Sequence, residues 1–237
     1  MTLSCESSDP HLWSVAEYHQ LIRDHVIGVQ APTELVAGRI VQCNWQAKTA
    51  HQAVVQRLQF GFQKELHGQA LVRSQQPVLL GVDSEPKPDI AIVLGTDARY
   101  QHHRPTPVEI ALIVEVTEGS LVLDGYLKAI EYAEAGIPDY WVFDLSRQQL
   151  YVFRDICNGA YHPPRVLRTG DCIRPLAFPE LTMTLCNPVQ RHGLTRYKRH
   201  PHWQNAPLSP PILIKRQKTA SFQQFADASK QLTEVSH

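Results

Sequence analysis

Two acidic residues in this 237-residue chain stand where charge is costly. Asp89 opens the run Asp89-Ile-Ala-Ile-Val-Leu94 directly after Pro88. Glu115 lies near the end of Ile110-Ala-Leu-Ile-Val-Glu-Val116. Both runs read as buried strands. A carboxylate on a buried strand costs on the order of several kcal/mol unless it is paired or metal-bound. Two neighbouring carboxylates repel, and a divalent cation neutralises them. Two carboxylates with a main-chain carbonyl suit Mg²⁺, which keeps waters and takes few protein ligands. An ion held that way can polarise a phosphoryl oxygen and lower the pKa of a bound water. The competing reading is that both acids mark strand ends reaching solvent. Spacing alone leaves both readings open.

Other candidates are weaker. His51 falls on the apolar stripe of a helix and reads first as a packing histidine. Glu34 could lend a third carboxylate, although an exposed hairpin position is the simpler reading. Asp124 and Lys128 are one turn apart on one helical face, the spacing of an ordinary surface ion pair. His102-His103 and His200/His202 lack a cysteine or carboxylate at ligand spacing and read as solvated loops. No Gly-x-Ser-x-Gly elbow and no glycine-rich phosphate loop occurs.

The elements that must position these groups follow from pattern. Ser14 and Glu17 have capping-box spacing and open a short helix to about Arg23. Ala37-Gly38 is a hairpin turn inside Glu34–Cys43. Thr49 caps a second helix, with His51, Val55, Leu58, Phe62 and Leu66 at helical spacing and Gly68 as its stop. Ala70–Arg73 and Pro77–Leu80 read as strands. A helix is expected over about Val122–Ala135, closed by Gly136-Ile-Pro138. Tyr140–Phe143 and Leu150–Phe153 are apolar strands joined by a turn at Ser146–Gln148. Short edge strands fill 160–187. Residues 189–218 read as a linker and 219–234 as a weak helix, both expected to pack poorly against the body.

Composition bounds the function class. Lys+Arg and Asp+Glu number 23 each, and 43% of residues are apolar. That balance excludes a globally basic nucleic-acid protein and an acidic disordered chain. The neutrality hides an asymmetry. Residues 189–237 hold 8 basic and 2 acidic residues, so 23 less 8 leaves 15 basic and 23 less 2 leaves 21 acidic in 1–188. The basic tail carries Tyr197 and Trp203 among its cations, a pattern suited either to phosphate and stacking or to folding back on the acidic body. Five scattered cysteines without a Cys-x-x-Cys pair argue against a disulfide framework and a zinc finger. No apolar run is long enough to span a membrane, and the N-terminus lacks signal-peptide features. A cytoplasmic protein is expected.

Several of these pieces occur together in a known order. Pro88-Asp89 followed by Glu115-Val-Thr117 resembles the PD-(D/E)XK nuclease superfamily. More narrowly, residues 12–187 resemble the Uma-type bacterial family of restriction-endonuclease-like proteins. Glu34-Leu-Val-Ala-Gly-Arg-Ile is similar to that family's Glu-Leu-x-x-Gly-Glu opening, and His51 lies in the helix that follows. Glu115-Val-Thr-Glu-Gly-Ser120 is followed in order by Asp124, Lys128, Tyr132, Ala135-Gly136 and Asp139-Tyr-Trp-Val-Phe-Asp144. Gly170-Asp171 through Pro179-Glu-Leu181 is similar to the closing strands. Two features depart from the pattern. Thr117 stands where the superfamily usually has lysine, and the loop 117–123 is one residue short.

The resemblance implies an α/β fold, a restriction-endonuclease-like central mixed β-sheet flanked by α-helices, over a domain at 1–188. Residues 189–237 would form a basic, proline-rich extension. It implies a metal-dependent endodeoxyribonuclease that hydrolyses DNA phosphodiester bonds. Asp89 and Glu115, with the Val116 main-chain carbonyl, would hold Mg²⁺ (or Mn²⁺). Lys128 would supply the cation missing at Thr117, with Glu34, His51, Thr117 and Asp124 behind the ligands. The alternative is a catalytically inactive nuclease-like module that binds nucleic acid or a protein partner. A third reading is an oligomerising structural protein that uses the edge strands around 148–175, and a homodimer is one partner arrangement.

Overall fold

The computed structural model describes residues 11–42, 49–118 and 125–185, together with the strand at 195–199. Helix α1 (Val15–Arg23) begins as the capping box requires: Ser14 Oγ accepts from the Glu17 N–H, and Glu17 accepts from the Ser14 N–H. Strands β1 (Thr33–Val36) and β2 (Arg39–Gln42) form the expected hairpin. Its turn places Ala37 and Gly38 at φ 50° and 72°. A Cβ on Gly38 would lie 2.9 Å from Leu12 Cβ, so glycine is needed for space as well as conformation.

Helix α2 (Thr49–Glu65) buries Val54, Val55, Leu58 and Phe62 on one side. Strands β3 (Leu71–Ser74), β4 (Ile90–Val93), β5 (Ile110–Thr117), β6 (Tyr140–Asp144), β7 (Gln149–Phe153) and β10 (Arg165–Leu167) make one six-stranded sheet in the order β10-β7-β6-β5-β4-β3. The sheet is mixed: β5 and β6 run parallel, and the other neighbours run antiparallel. Helix α3 (Tyr126–Glu134) lies on the connection between the parallel pair.

The sheet buries both faces. Leu112, Val114 and Val116 of β5 join the core that holds α2, Trp141 and Phe143. Ile113 joins the core that holds Ala129, Tyr132 and Ala133 of α3, with Tyr140, Tyr151 and Phe153. Strand alternation therefore aims Glu115 at α3. Strands β8 (Ile156–Cys157) and β9 (Ala160–Tyr161) form a small hairpin. Strands β11 (Cys172–Ile173), β12 (Leu181–Leu185) and β13 (Thr195–Arg199) form a second small sheet, and Leu181, Met183 and Leu185 face the α2 side of the core.

The mixed sheet and flanking helices agree with the expected fold class. Two local expectations need correction. Pro77–Leu80 is not a strand: Val78 and Leu80 donate to the Pro86 and Ser84 carbonyls in an irregular loop, and Pro77 lacks a donor. The described part of helix α3 runs over Tyr126–Glu134, and the expected start at Val122 lies outside the described residues. The linker reading of 189–218 overlooks β13, which pairs with β12 from Leu181↔Arg199 to Leu185↔Thr195. The rest of 189–237, including the helix expected at 219–234, lies outside the described residues. Among the described residues, no helix is long and apolar enough to cross a membrane.

Candidate active site

The register of the sheet brings the two singled-out acids together. Ile90 pairs with Val114 across β4 and β5, so the next antiparallel step sets Asp89 opposite Glu115. The Asp89 N–H donates to Glu115 Oε2 at 3.3 Å. The Val116 N–H donates to Asp89 Oδ2 at 2.9 Å. Both acids thus sit at one end of the sheet, where β5 finishes and β4 begins.

Asp89 is held on three sides. Ser74 Oγ donates to its carbonyl at 3.0 Å. Gln75, at φ 54°, turns its N–H toward the Pro88 and Asp89 carbonyls and its Nε2 toward Oδ1 at 3.3 Å. His51, in the first turn of α2, places Nε2 3.0 Å from Oδ2. Its Nδ1 finds no partner among the described residues, so the ring holds the site through Nε2 alone. Burial pulls the imidazole pKa down. The hydrogen bond and charge of Asp89, with Glu115 and Glu118 behind it, outweigh burial and leave it raised.

Glu115 is held from α3. Lys128 Nζ donates to Oε1 at 3.0 Å, and the Tyr132 hydroxyl donates to the same oxygen at 3.1 Å. Lys128 and Tyr132 are one helical turn apart, so both reach the strand from one face. Burial, reinforced by the charges of Asp89 and Glu34, pushes the Glu115 carboxyl up to about 7 despite Lys128. Burial opposes the Lys128 charge, but Glu115 and Glu34 hold its pKa well above the ordinary lysine value. Burial beside Glu115 likewise raises the Tyr132 phenol, which stays a neutral donor.

Glu34 departs from the sequence expectation. It is 5% exposed, so it is no exposed hairpin residue. Its Oε1 lies 3.0 Å from Lys128 Nζ, and its Oε2 accepts the Lys87 N–H at 2.8 Å. The segment carrying Lys87 is anchored in turn by Glu85, whose N–H donates to the Leu35 carbonyl and whose carboxylate pairs with Arg104 and His19. Lys128 lies within a buried Glu34–Lys128–Glu115 triad, and Asp124 lies outside the described residues.

Thr117 is buried at the end of β5, level with Asp144, and its carbonyl accepts the Leu145 N–H. That bond points toward β6. The Val116 N–H points the other way, toward Asp89, and a strand residue directs its N–H and C=O to the same edge. The Val116 carbonyl therefore faces the Asp89 side.

A divalent cation fits this donor set by two observations. Each carboxylate has one oxygen engaged twice: Asp89 Oδ2 by His51 and Val116, and Glu115 Oε1 by Lys128 and Tyr132. The other oxygen of each, Asp89 Oδ1 and Glu115 Oε2, has one contact at 3.3 Å. Burial, with Asp89 and Glu34 beside it, raises Glu115 to about 7 despite Lys128, and a bound cation would relieve that cost. Among the described residues, no group of three or more His, Cys, Asp or Glu side chains forms a metal cage. The fit is to an ion that keeps most of its waters.

Sequence reasoning had no site role for Gln75, and it noted Tyr132 only as part of a family run. Gln75 sits in a loop, and Tyr132 is one of several apolar-stripe residues of α3. Neither carries a local signal that separates it from packing or turn residues.

Comparison with known proteins gives the chain a context. The model of the Uma2 family, described as "Putative restriction endonuclease", matches residues 15–186. No curated protein matches. Among solved structures, the fold is similar to that of "a putative nuclease belonging to DUF820 from Anabaena variabilis ATCC 29413". The two share 14% identity at a TM-score of 0.52, over 68% of this chain and 88% of that one. At that identity the likeness speaks for the fold.

Proposed function

Because the chain belongs to the Uma2 family, whose model spans residues 15–186, we propose that it is a metal-dependent endodeoxyribonuclease acting at the Asp89–Glu115 site. One observation carries the reading. Two carboxylates from adjacent strands meet at the sheet end, each with a lightly held oxygen, and a buried ammonium lies 3.0 Å from one of them. Asp89 Oδ1, Glu115 Oε2 and the Val116 carbonyl would hold Mg²⁺ (or Mn²⁺). When bound, such an ion polarises the phosphoryl oxygen and lowers the pKa of a water near the scissile bond.

The chain's own residues supply the rest. Lys128, kept protonated by its two carboxylate neighbours, donates to the phosphate oxygen on which charge grows. It is a fixed cation and not a base. His51 and the Val116 N–H fix the Asp89 carboxylate, and Tyr132 fixes Glu115. DNA is the proposed substrate. The exposed thiols of Cys157 and Cys172 agree with a reducing, cytoplasmic setting.

The test is cleavage of supercoiled plasmid with Mg²⁺ or Mn²⁺. Lys128→Ala should lower the rate on the order of 10²-fold, and Asp89→Ala should abolish metal dependence. Equal rates for wild type and Lys128→Ala would remove Lys128 from the site. One observation favours a second reading: Thr117 carries no charge where the superfamily's lysine usually stands. Wild type that cleaves with neither metal would favour that inactive, nucleic-acid- or protein-binding module.

A further inference from the structure

Lys128 has two acidic neighbours, and only one belongs to the pair proposed to hold a cation. Nζ lies 3.0 Å from Glu115 Oε1 and 3.0 Å from Glu34 Oε1. The Glu34 side chain is 6% exposed, and its second oxygen accepts the Lys87 N–H at 2.8 Å as well as the Lys128 ammonium at 3.2 Å. Lys87 precedes Asp89 by two residues. One carboxylate on hairpin β1–β2 therefore ties together the segment that delivers Asp89 and the helix that delivers Lys128.

We infer that Glu34 is a positioning residue that shares the Lys128 ammonium and so keeps Glu115 available to a divalent cation. The inference rests on the nuclease reading above. Its physical basis is competition. Ion pairing strengthens as the surroundings become less polar. An ammonium with a single buried anion settles on that anion, and a divalent cation must then displace it. With Glu34 present, the ammonium is balanced between two carboxylates. Glu115 Oε2 stays clear of it and, among the described residues, is bound by the Asp89 N–H alone, at 3.3 Å. Without Glu34, ammonium and cation would contend for Glu115.

The rival role for Glu34 is a direct action on the cation, as a third ligand or through its charge. A double-mutant cycle read by Mn²⁺ calorimetry on the full chain separates the two, with Asp89→Ala as the blank. Glu34→Gln removes the charge but keeps an oxygen for the Lys87 N–H. It should weaken Mn²⁺ binding about 10-fold, as for loss of a group supporting a ligand. Lys128→Met should then tighten Mn²⁺ binding at least ~5-fold more in the Glu34→Gln background than in wild type. Should Glu34→Gln not fold, Glu34→Asp, which shortens the reach, replaces it with the same inequality expected. An equal effect of Lys128→Met in both backgrounds would overturn the positioning role and leave the nuclease reading intact. A wild type with no Asp89-dependent Mn²⁺ binding would overturn both.

Discussion

The main-chain N–H of Asp89 donates to Oε2 of Glu115, which stands opposite it on the neighbouring strand. The two acids are therefore joined through backbone as well as placed side by side. An error in the aim of one carboxylate is an error in the shape of the pair. His51 is the side chain that sets the aim of Asp89 from α2.

Replacing His51 by alanine should accordingly weaken divalent binding without abolishing it. The Val116 N–H still holds Asp89 Oδ2 and Gln75 Nε2 still reaches Oδ1, but the restraint from α2 is gone. Loss of such an orienting partner typically costs about 10–100-fold in metal affinity. Calorimetric titration with Mn²⁺ checks this. An affinity within about twofold of wild type would reduce His51 to packing.

The protonation of Glu115 has a signature in stability. In the cation-free protein its carboxyl is raised from 4.5 to about 7, chiefly by burial. Between those values the folded state holds a proton that the unfolded state has lost. The stability this gives is present below about pH 4.5 and disappears as pH rises through 7. His51, raised above 6.5, acts in the same sense: its contribution is present below 6.5 and is lost at higher pH. Without added metal, the urea midpoint of wild type should fall between about pH 5 and 8, and Glu115→Gln should flatten that fall. Parallel curves for the two proteins would show that Glu115 titrates normally.

Asp139 is a structural counterpart to the site acids. It is fully buried and accepts from Trp141 Nε1, from Arg154 Nε and Nη2, and from the Leu176 N–H, at 2.6 to 2.9 Å. Asp139→Ala leaves a guanidinium without its anion at the start of β6. The expected cost is about 3–5 kcal/mol, or roughly 10 °C in melting temperature for a chain of this size. Mn²⁺ affinity of the folded fraction should stay within about twofold of wild type. A comparable loss of metal binding would mean that Asp139 acts on the site as well as on the fold.

Strand β13 makes the tail separable into two parts. A chain ending at Pro188 leaves one edge of β12 unpaired and should melt roughly 5 °C lower. A chain ending at His200 keeps β13 and should melt as the full protein does. Circular dichroism melts of the three lengths decide it. Identical melting of all three would restore the reading of 189–237 as a loosely packed extension.

Much of this site is legible in the sequence because burial makes charge conspicuous. Asp89 and Glu115 interrupt apolar runs, and an apolar run with one acid at its end has few explanations. Glu34 is not legible in that way. Its strand is four residues long, the burial of Glu34 comes from the 85–87 segment and α3, and hairpin polarity normally means exposure. His51 falls on the packing stripe of α2 and is buried, as that stripe requires. That stripe happens to end over Asp89. Pro77–Leu80 has strand composition, yet its donors are spent on the Pro86, Pro105 and Ser84 carbonyls, a tertiary fact with no local sign. Strand β13 is hidden by its charges: Thr195-Arg-Tyr-Lys-Arg199 has no apolar alternation to announce a ladder.

The parallel pairing of β5 with β6 obliges the chain to cross over between them, and α3 is part of that crossing. Glu115 consequently meets Lys128 across 13 residues and Tyr132 across 17, whereas Glu34 reaches Lys128 across 94. Short loops close with less entropy lost than long ones. A folding route that builds this crossover early gives Glu115 its cation and its hydroxyl before the hairpin or the Asp89 strand docks. The chain then never has to desolvate that carboxylate alone. Docking of the distant elements adds to a buried charge that is already compensated.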